Sequence, residues 1–171
     1  MNTRVSRAIA ASLAAGALVA AGMSAPAVAK PGHGHANGHG KGHCRAFQAL
    51  GDGVTNLDGT TTATIHRGNK EFGTTTGTFA LGETTDSVTA FTGTIVFTST
   101  GDVAGTLTAP VEGGLDTETG EFRARSDSLT GTDGFASVTG KLRVWGVQNL
   151  TDGTFTEHLL AKLCVPKNKQ H

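Results

Sequence analysis

Glu157 lies in the last apolar-rich run of the chain, Thr154–Val165, between Phe155 and Leu159. If that run is a strand, its period of two puts all three side chains on one face, with Thr156, His158, Leu160 and Lys162 on the other. A carboxylate on a core-facing position costs free energy unless it is paired or hydrogen-bonded. One reading places Glu157 in an interior cavity with a raised pKa, as a ligand contact or a general acid/base. The other has a bulge near His158 swing it to solvent, or an arginine neutralise it inside. Glu157 is thus a weak catalytic candidate, and the expected ligand contacts are Glu157, Trp145, Phe155 and Phe122.

The histidines are a second source of chemistry. Lys30–His43 reads KPGHGHANGHGKGH, which brings His33, His35, His39 and His43 onto a glycine-rich backbone. Imidazole suits zinc, copper and nickel, and a flexible chain lets several rings converge at an entropic cost. The segment reads either as a weak metal-binding tail or as a solvated linker. With cleavage after Ala29, His33 is fourth in the mature chain, not third as a tight amino-terminal copper or nickel site requires. No other cofactor is implied.

The remaining reactive or polar residues have plainer readings. Arg123, Arg125 and Asp127 alternate on one face as a solvated charge ladder, and His66 and His158 fall on the polar faces of their runs. Trp145 is placed opposite Leu142 and Val144, either as a surface aromatic for a flat ligand or as a core residue in another register. The chain carries no Gly-x-Ser-x-Gly, His-Glu-x-x-His, phosphate-loop or dinucleotide pattern, and no tyrosine. The sequence therefore points away from catalysis without deciding it.

These residues must be positioned by strands. From Cys44 onward threonine, valine, isoleucine and phenylalanine alternate between Gly/Asp turn markers. The runs Cys44–Leu50, Thr60–Arg67, Thr74–Leu81, Ser87–Thr100, Val103–Leu115, Glu121–Thr130, Lys141–Leu150 and Thr154–Val165 make eight strands at the short spacing of an all-β barrel or sandwich. Pro110 requires an edge or a bulge, and Phe135–Val138 reads as a short strand or a turn. A unit is written twice: Gly105–Leu115 followed by Gly120-Glu121-Phe122, and Gly140–Leu150 followed by Gly153-Thr154-Phe155. The expectation is an eight-stranded antiparallel meander closed into a barrel, which removes the edges such strands would expose.

Residues 1–29 read as a secretory signal peptide. Arg4 and Arg7 precede the apolar run Ala8–Met23, and Ala27-Val28-Ala29 supplies a cleavage site. No later stretch approaches the roughly 20 apolar residues of a helical membrane span. The domain plan is then a signal peptide at 1–29, a disordered His/Gly-rich tail at 30–43, a barrel at 44–166 and a short tail at 167–171. Removing Arg4 and Arg7 takes Lys+Arg from 14 to 12 against 14 Asp+Glu, a formal charge of −2. No basic cluster marks a nucleic-acid site. Export into an oxidising compartment predicts that Cys44 and Cys164 pair. In a closed meander the first and last strands are neighbours, and antiparallel pairing sets the start of one beside the end of the other.

The runs GTLTAPVEGGLDTETGEF, GTDGFASVTGKLRVWG and TFTEHLLAKLC, over the last 65 or so residues, resemble the allene oxide cyclase-like, or dirigent-like, barrel family. In particular they are similar to its small secreted bacterial members of unknown role. The resemblance implies an eight-stranded antiparallel barrel with a lumen. The family's Gly-x-Gly-x-Phe-x-Gly-Ala-x-Gly segment matches at Gly131, Phe135 and Gly140; Asp133 replaces a glycine and Ser137-Val138 replaces Gly-Ala. The family's catalytic residues have no counterparts here that can be placed.

Three functions are therefore expected of the sequence. The first is a secreted barrel binding a small apolar ligand in its lumen, the second a cyclase or isomerase using Glu157, the third a metal-binding or cell-envelope interaction protein built around the histidine tail. The oligomeric state is left open.

Overall fold

The computed structural model describes residues 43–166. The expected signal peptide and most of the expected histidine tail lie outside the described residues, as does 167–171. Alternation of β-branched and aromatic side chains with threonine produces almost nothing but strand: β1 (His43–Thr55), β2 (Thr60–Arg67), β3 (Lys70–Thr85), β4 (Val88–Ser99), β5 (Thr106–Asp116), β6 (Glu121–Ser126), the two-residue β7 (Thr130–Gly131), β8 (Thr139–Gln148) and β9 (Thr154–Val165). Every pairing is antiparallel. The sheet runs β4-β3-β2-β1-β9-β8-β6-β5-β7, and a β4–β5 pairing closes it. The result is the expected eight-stranded meander barrel, with β7 a short addition to β5.

Closure puts β1 beside β9 in a ladder from His43↔Val165 to Val54↔Thr154. Cys44 and Cys164 are directly opposite one another in it, with Cα atoms 4.0 Å apart and sulfurs bonded at 2.06 Å. The disulfide fastens the seam at the end where the described chain begins.

Several strand boundaries differ from the sequence expectation for one reason: glycine was read as turn where it is strand. β1 continues through Gly51-Asp52-Gly53 to Thr55, and β3 passes Gly82 to Thr85 with a register shift between Leu81 and Thr84. Val103, by contrast, lies before β5 and is exposed. Pro110 is paired with Thr94 on β4. On its other side, the β6 and β7 pairings stop at Glu112 and Thr108. It thus occupies a local gap in the sheet, the kind of place where a residue without an N–H is tolerated.

Phe135 belongs to a 3₁₀ turn, Asp133–Phe135, rather than a strand. Asp133, which stands where the family pattern has glycine, takes φ 50°, and aspartate is among the non-glycine residues that tolerate that region.

The interior is built from phenylalanine laid across glycine. Phe79 is opposite Gly93, Phe91 opposite Gly113, Phe122 opposite Gly146 and Phe155 opposite Gly53. A Cβ on Gly113 or Gly146 would come within 2.7 Å of the Phe91 ring or 2.8 Å of the Phe122 ring. Glycine on a strand leaves a bare patch that weakens it, and an aromatic ring on the neighbouring strand covers the patch.

The two ends of the barrel differ. At the disulfide end the rings of Phe47, Phe72 and Phe97 pack in series, with centroids 4.9 and 5.6 Å apart. Leu129 and Phe135 from the β6–β8 link close over them, so only about 80 Å³ remains empty. At the opposite end lie the β1–β2, β3–β4, β5–β6 and β8–β9 hairpins. Three of these turns are braced by a carboxylate. Asp58 accepts from the Thr60 hydroxyl (2.7 Å) and N–H (2.9 Å), Asp116 from the Thr119 and Glu118 N–H groups (3.0 and 2.8 Å), and Asp152 from the Thr154 hydroxyl (2.7 Å) and N–H (2.9 Å). These bonds favour the ionised form and hold all three carboxyls below the usual carboxylate range. The Asn149 amide donates to Asp152 and its carbonyl accepts from the Thr151 N–H, which accounts for Asn149-Leu150-Thr151 as turn chemistry.

Candidate functional site

The hairpin end holds a cavity of about 400 Å³. Its wall is made by Phe79 and Phe91 from β3 and β4, Phe122 and Phe155 from β6 and β9, and the aliphatic Ile95 and Val144; among the described residues Glu157 is its one charged lining residue. The repeated sequence unit supplies one of these contacts. Phe122 and Phe155 occupy equivalent positions in the two copies, and their rings meet edge to face at 6.0 Å and 90°. Phe79 and Phe91 meet in the same way at 5.3 Å and 75°. Such edge-to-face pairs are favoured by the ring quadrupole.

Glu157 is held by the register of three strands. On β9 it is opposite Gly51 of β1 and Gly146 of β8, so glycine flanks it on both sides. A Cβ on Gly51 would lie 2.7 Å from the Glu157 Cγ, 2.8 Å from its Oε1 and 2.9 Å from Ile65 Cδ1. The absence of that Cβ makes the slot in which the side chain fits. Glu157 is only 7% exposed, and its Oε1 is buried with no hydrogen-bond partner among the described residues. Burial pushes its carboxyl up from 4.5 to about 7, against a smaller downward pull from the Thr75 hydroxyl. The β9 ladders with β1 and β8 run without a shift past this point. Among the described residues no arginine lines the cavity. Neither a bulge nor an ion pair among these residues relieves the carboxylate, and Glu157 is buried facing the cavity.

The other expected contacts divide. Phe122 and Phe155 join Glu157 in the cavity. Trp145 does not: it is 41% exposed on the outer wall, its ring stacked on His158 at 5.3 Å and 5°. It is a surface residue and not a core one, on the same outer face as Arg123, Arg125 and Arg143. The charge ladder there is solvated. Arg125 donates to Glu112 at 2.7 Å, and Lys141 to Asp127 at 2.8 Å. His66 lies 4.0 Å from Asp52 on the outside as well.

His33, His35 and His39 lie outside the described residues, and His43 is the exposed first residue of β1, one residue ahead of the expected barrel start. Among the described residues no group of three or more His, Cys, Asp or Glu side chains converges to hold a metal, and no helix is long and apolar enough to cross a membrane.

Sequence reasoning missed Phe79, Phe91 and Thr75 as members of the site. Alternation along β4 puts Phe91 on one face with Ile95 and Phe97, but nothing local sets that face against Glu157. Thr75 sits within Thr74-Thr75-Thr76, where three identical residues hide the alternation. Its inward face is marked only by Gly73 and Gly77, two residues to either side and buried like it.

Three exposed leucines, Leu57 and Leu150 in the β1–β2 and β8–β9 turns and Leu81 near the end of β3, stand at the same end as the cavity. Compared with known proteins, the chain matches no protein-family model, no curated protein and no solved structure.

Proposed function

We propose that this protein is a secreted barrel that binds a small apolar molecule in its lumen. The observation that carries the reading is the cavity of about 400 Å³, walled by four phenylalanines and provided with one carboxylate. That is the composition and size of a small-molecule site. An eight-stranded barrel is just wide enough either to fill with side chains or to hold one small ligand. This chain does the first at the disulfide end and the second at the hairpin end. The exposed leucines near the mouth give an apolar ligand a surface to meet first. Export is supported by the signal-type N-terminus and by the disulfide.

The test is titration with the neutral apolar fluorophore N-phenyl-1-naphthylamine. Saturable one-to-one binding is expected, and it should be lost in Ala124→Phe, which sets a ring into the cavity from β6. Absence of saturable binding, or binding that Ala124→Phe leaves intact, overturns the reading.

A second reading is favoured by Glu157 alone. A carboxyl at about pKa 7 inside an apolar cavity is poised for general acid/base work, as in a cyclase or isomerase of the allene oxide cyclase-like kind. A Glu157→Gln variant that turned over a candidate substrate as fast as the parent would remove that role.

A further inference from the structure

We infer that the ligand of the lumen carries a protonated amine on an apolar body, with Glu157 as its counter-charge. The inference rests on the lumen-binding reading and names the chemistry of what is bound.

Among the described residues Glu157 is the only charged side chain lining the cavity. The residues facing it are Gly51 on β1, Gly146 on β8, Ile65 on β2 and Thr75 on β3, and none of them titrates. Its strand neighbours Thr156 and His158 and the β1 residue Asp52 point to the outside, as alternation about Glu157 and Gly51 requires. Among the described residues the fold thus encloses one negative group, leaves its Oε1 without a partner, and offers no cation lining the cavity to offset it. A buried charge in that condition is costly until something pairs with it. The rest of the wall favours the same partner. The faces of aromatic rings attract cations, and Phe79, Phe91, Phe122 and Phe155 bring four rings to one cavity. The edge-to-face packing of each pair keeps the rings at different inclinations, so they do not present a single flat wall.

An alcohol would satisfy the hydrogen bond without neutralising the charge, and a carboxylate would add a second negative group. Glycine on both flanks of Glu157 has the same meaning: the side chain has its own slot, and the cavity volume beyond it is free for the body of the ligand.

Hexylamine, hexan-1-ol and hexanoate share one tail and differ in the head group, so calorimetric titration of the full chain with each at pH 8 isolates the head. Hexylamine is expected to bind about ten-fold tighter than hexan-1-ol, the worth of a charge-assisted hydrogen bond over a neutral one, with hexanoate weakest. At pH 5 the amine is still protonated while Glu157 is neutral, and the preference should collapse. In Glu157→Gln the amine should bind no better than the alcohol, because a cation without a counter-charge is costly to bury. The pH series on the unaltered protein carries the same test should that variant fail to fold. Equal affinity for amine and alcohol at pH 8, or an amine preference that survives at pH 5 or in Glu157→Gln, overturns the inference. If hexan-1-ol and the naphthylamine probe bind normally in that case, lumen binding stands and only the amine is lost. If none of the four compounds binds, the lumen reading itself falls.

Discussion

Replacing Glu157 by glutamine should flatten the dependence of stability on pH. Glu157 is buried among Gly51, Gly146 and Ile65, and its carboxyl is pushed up to about 7 from 4.5 by desolvation. The folded state therefore holds a proton that the unfolded chain has released between these two values. In that window the native state binds more protons than the unfolded state, so stability falls as pH rises. The contribution of Glu157 is fully present below pH 4.5, declines through the window and is lost above pH 7. The size of the decline, at about 1.36 kcal/mol for each pH unit, is about 3 kcal/mol. For a domain of this length that corresponds to roughly 10 °C in Tm.

Glutamine has nearly the same shape and cannot ionise, so its own buried amide adds a constant offset and no slope. The carboxylates held low by their turns, Asp58, Asp116 and Asp152, are present in both proteins and cancel in the difference. The assay is urea denaturation of parent and Glu157→Gln from pH 4 to pH 8, followed by far-ultraviolet circular dichroism. The expected result is a difference curve that climbs in favour of the variant between pH 4.5 and 7. Parallel curves would show that Glu157 does not titrate in a buried site and would refute the cavity argument at its base.

Other outcomes follow from the same structure. Serine at Cys44 and Cys164 opens a bond spanning 120 residues of sequence. It should cost up to about 5 kcal/mol by loop-closure entropy, read as a lower denaturation midpoint that reductant reproduces in the parent, with amide exchange rising first along the β1–β9 seam. Gly51→Ala drives a methyl group against Glu157 and Ile65 and should destabilise by about 1–3 kcal/mol. Combining it with Glu157→Ala should cost less than the two changes added separately, because the collision is shared; strict additivity in that double-mutant cycle would show that the slot is not what holds Glu157.

The sequence by itself determined the class of the fold and much of its wiring. A period of two in threonine, valine and phenylalanine is a property of single strands, so Thr60–Arg67 and Thr154–Val165 were legible to the residue, while Glu157 kept two readings until the unshifted ladders of β9 placed it inside. The pairing of Cys44 with Cys164 was legible too, because a meander that closes must set its first strand against its last. Tertiary structure alone decided what the interior contains. Gly51 and Gly53 look like a turn until β9 supplies Glu157 and Phe155 opposite them, and Thr75 is lost among like neighbours until Gly73 and Gly77 share its burial. Trp145 had two readings that only the register of β8 could separate. Whether a barrel of this width is plugged or hollow depends on which glycine each phenylalanine meets across the sheet, a relation between residues as far apart in sequence as Gly53 and Phe155. Alternation says which way a side chain points; only the register of strands distant in sequence says what it points at, and so leaves one end of this barrel filled and the other open around a carboxylate.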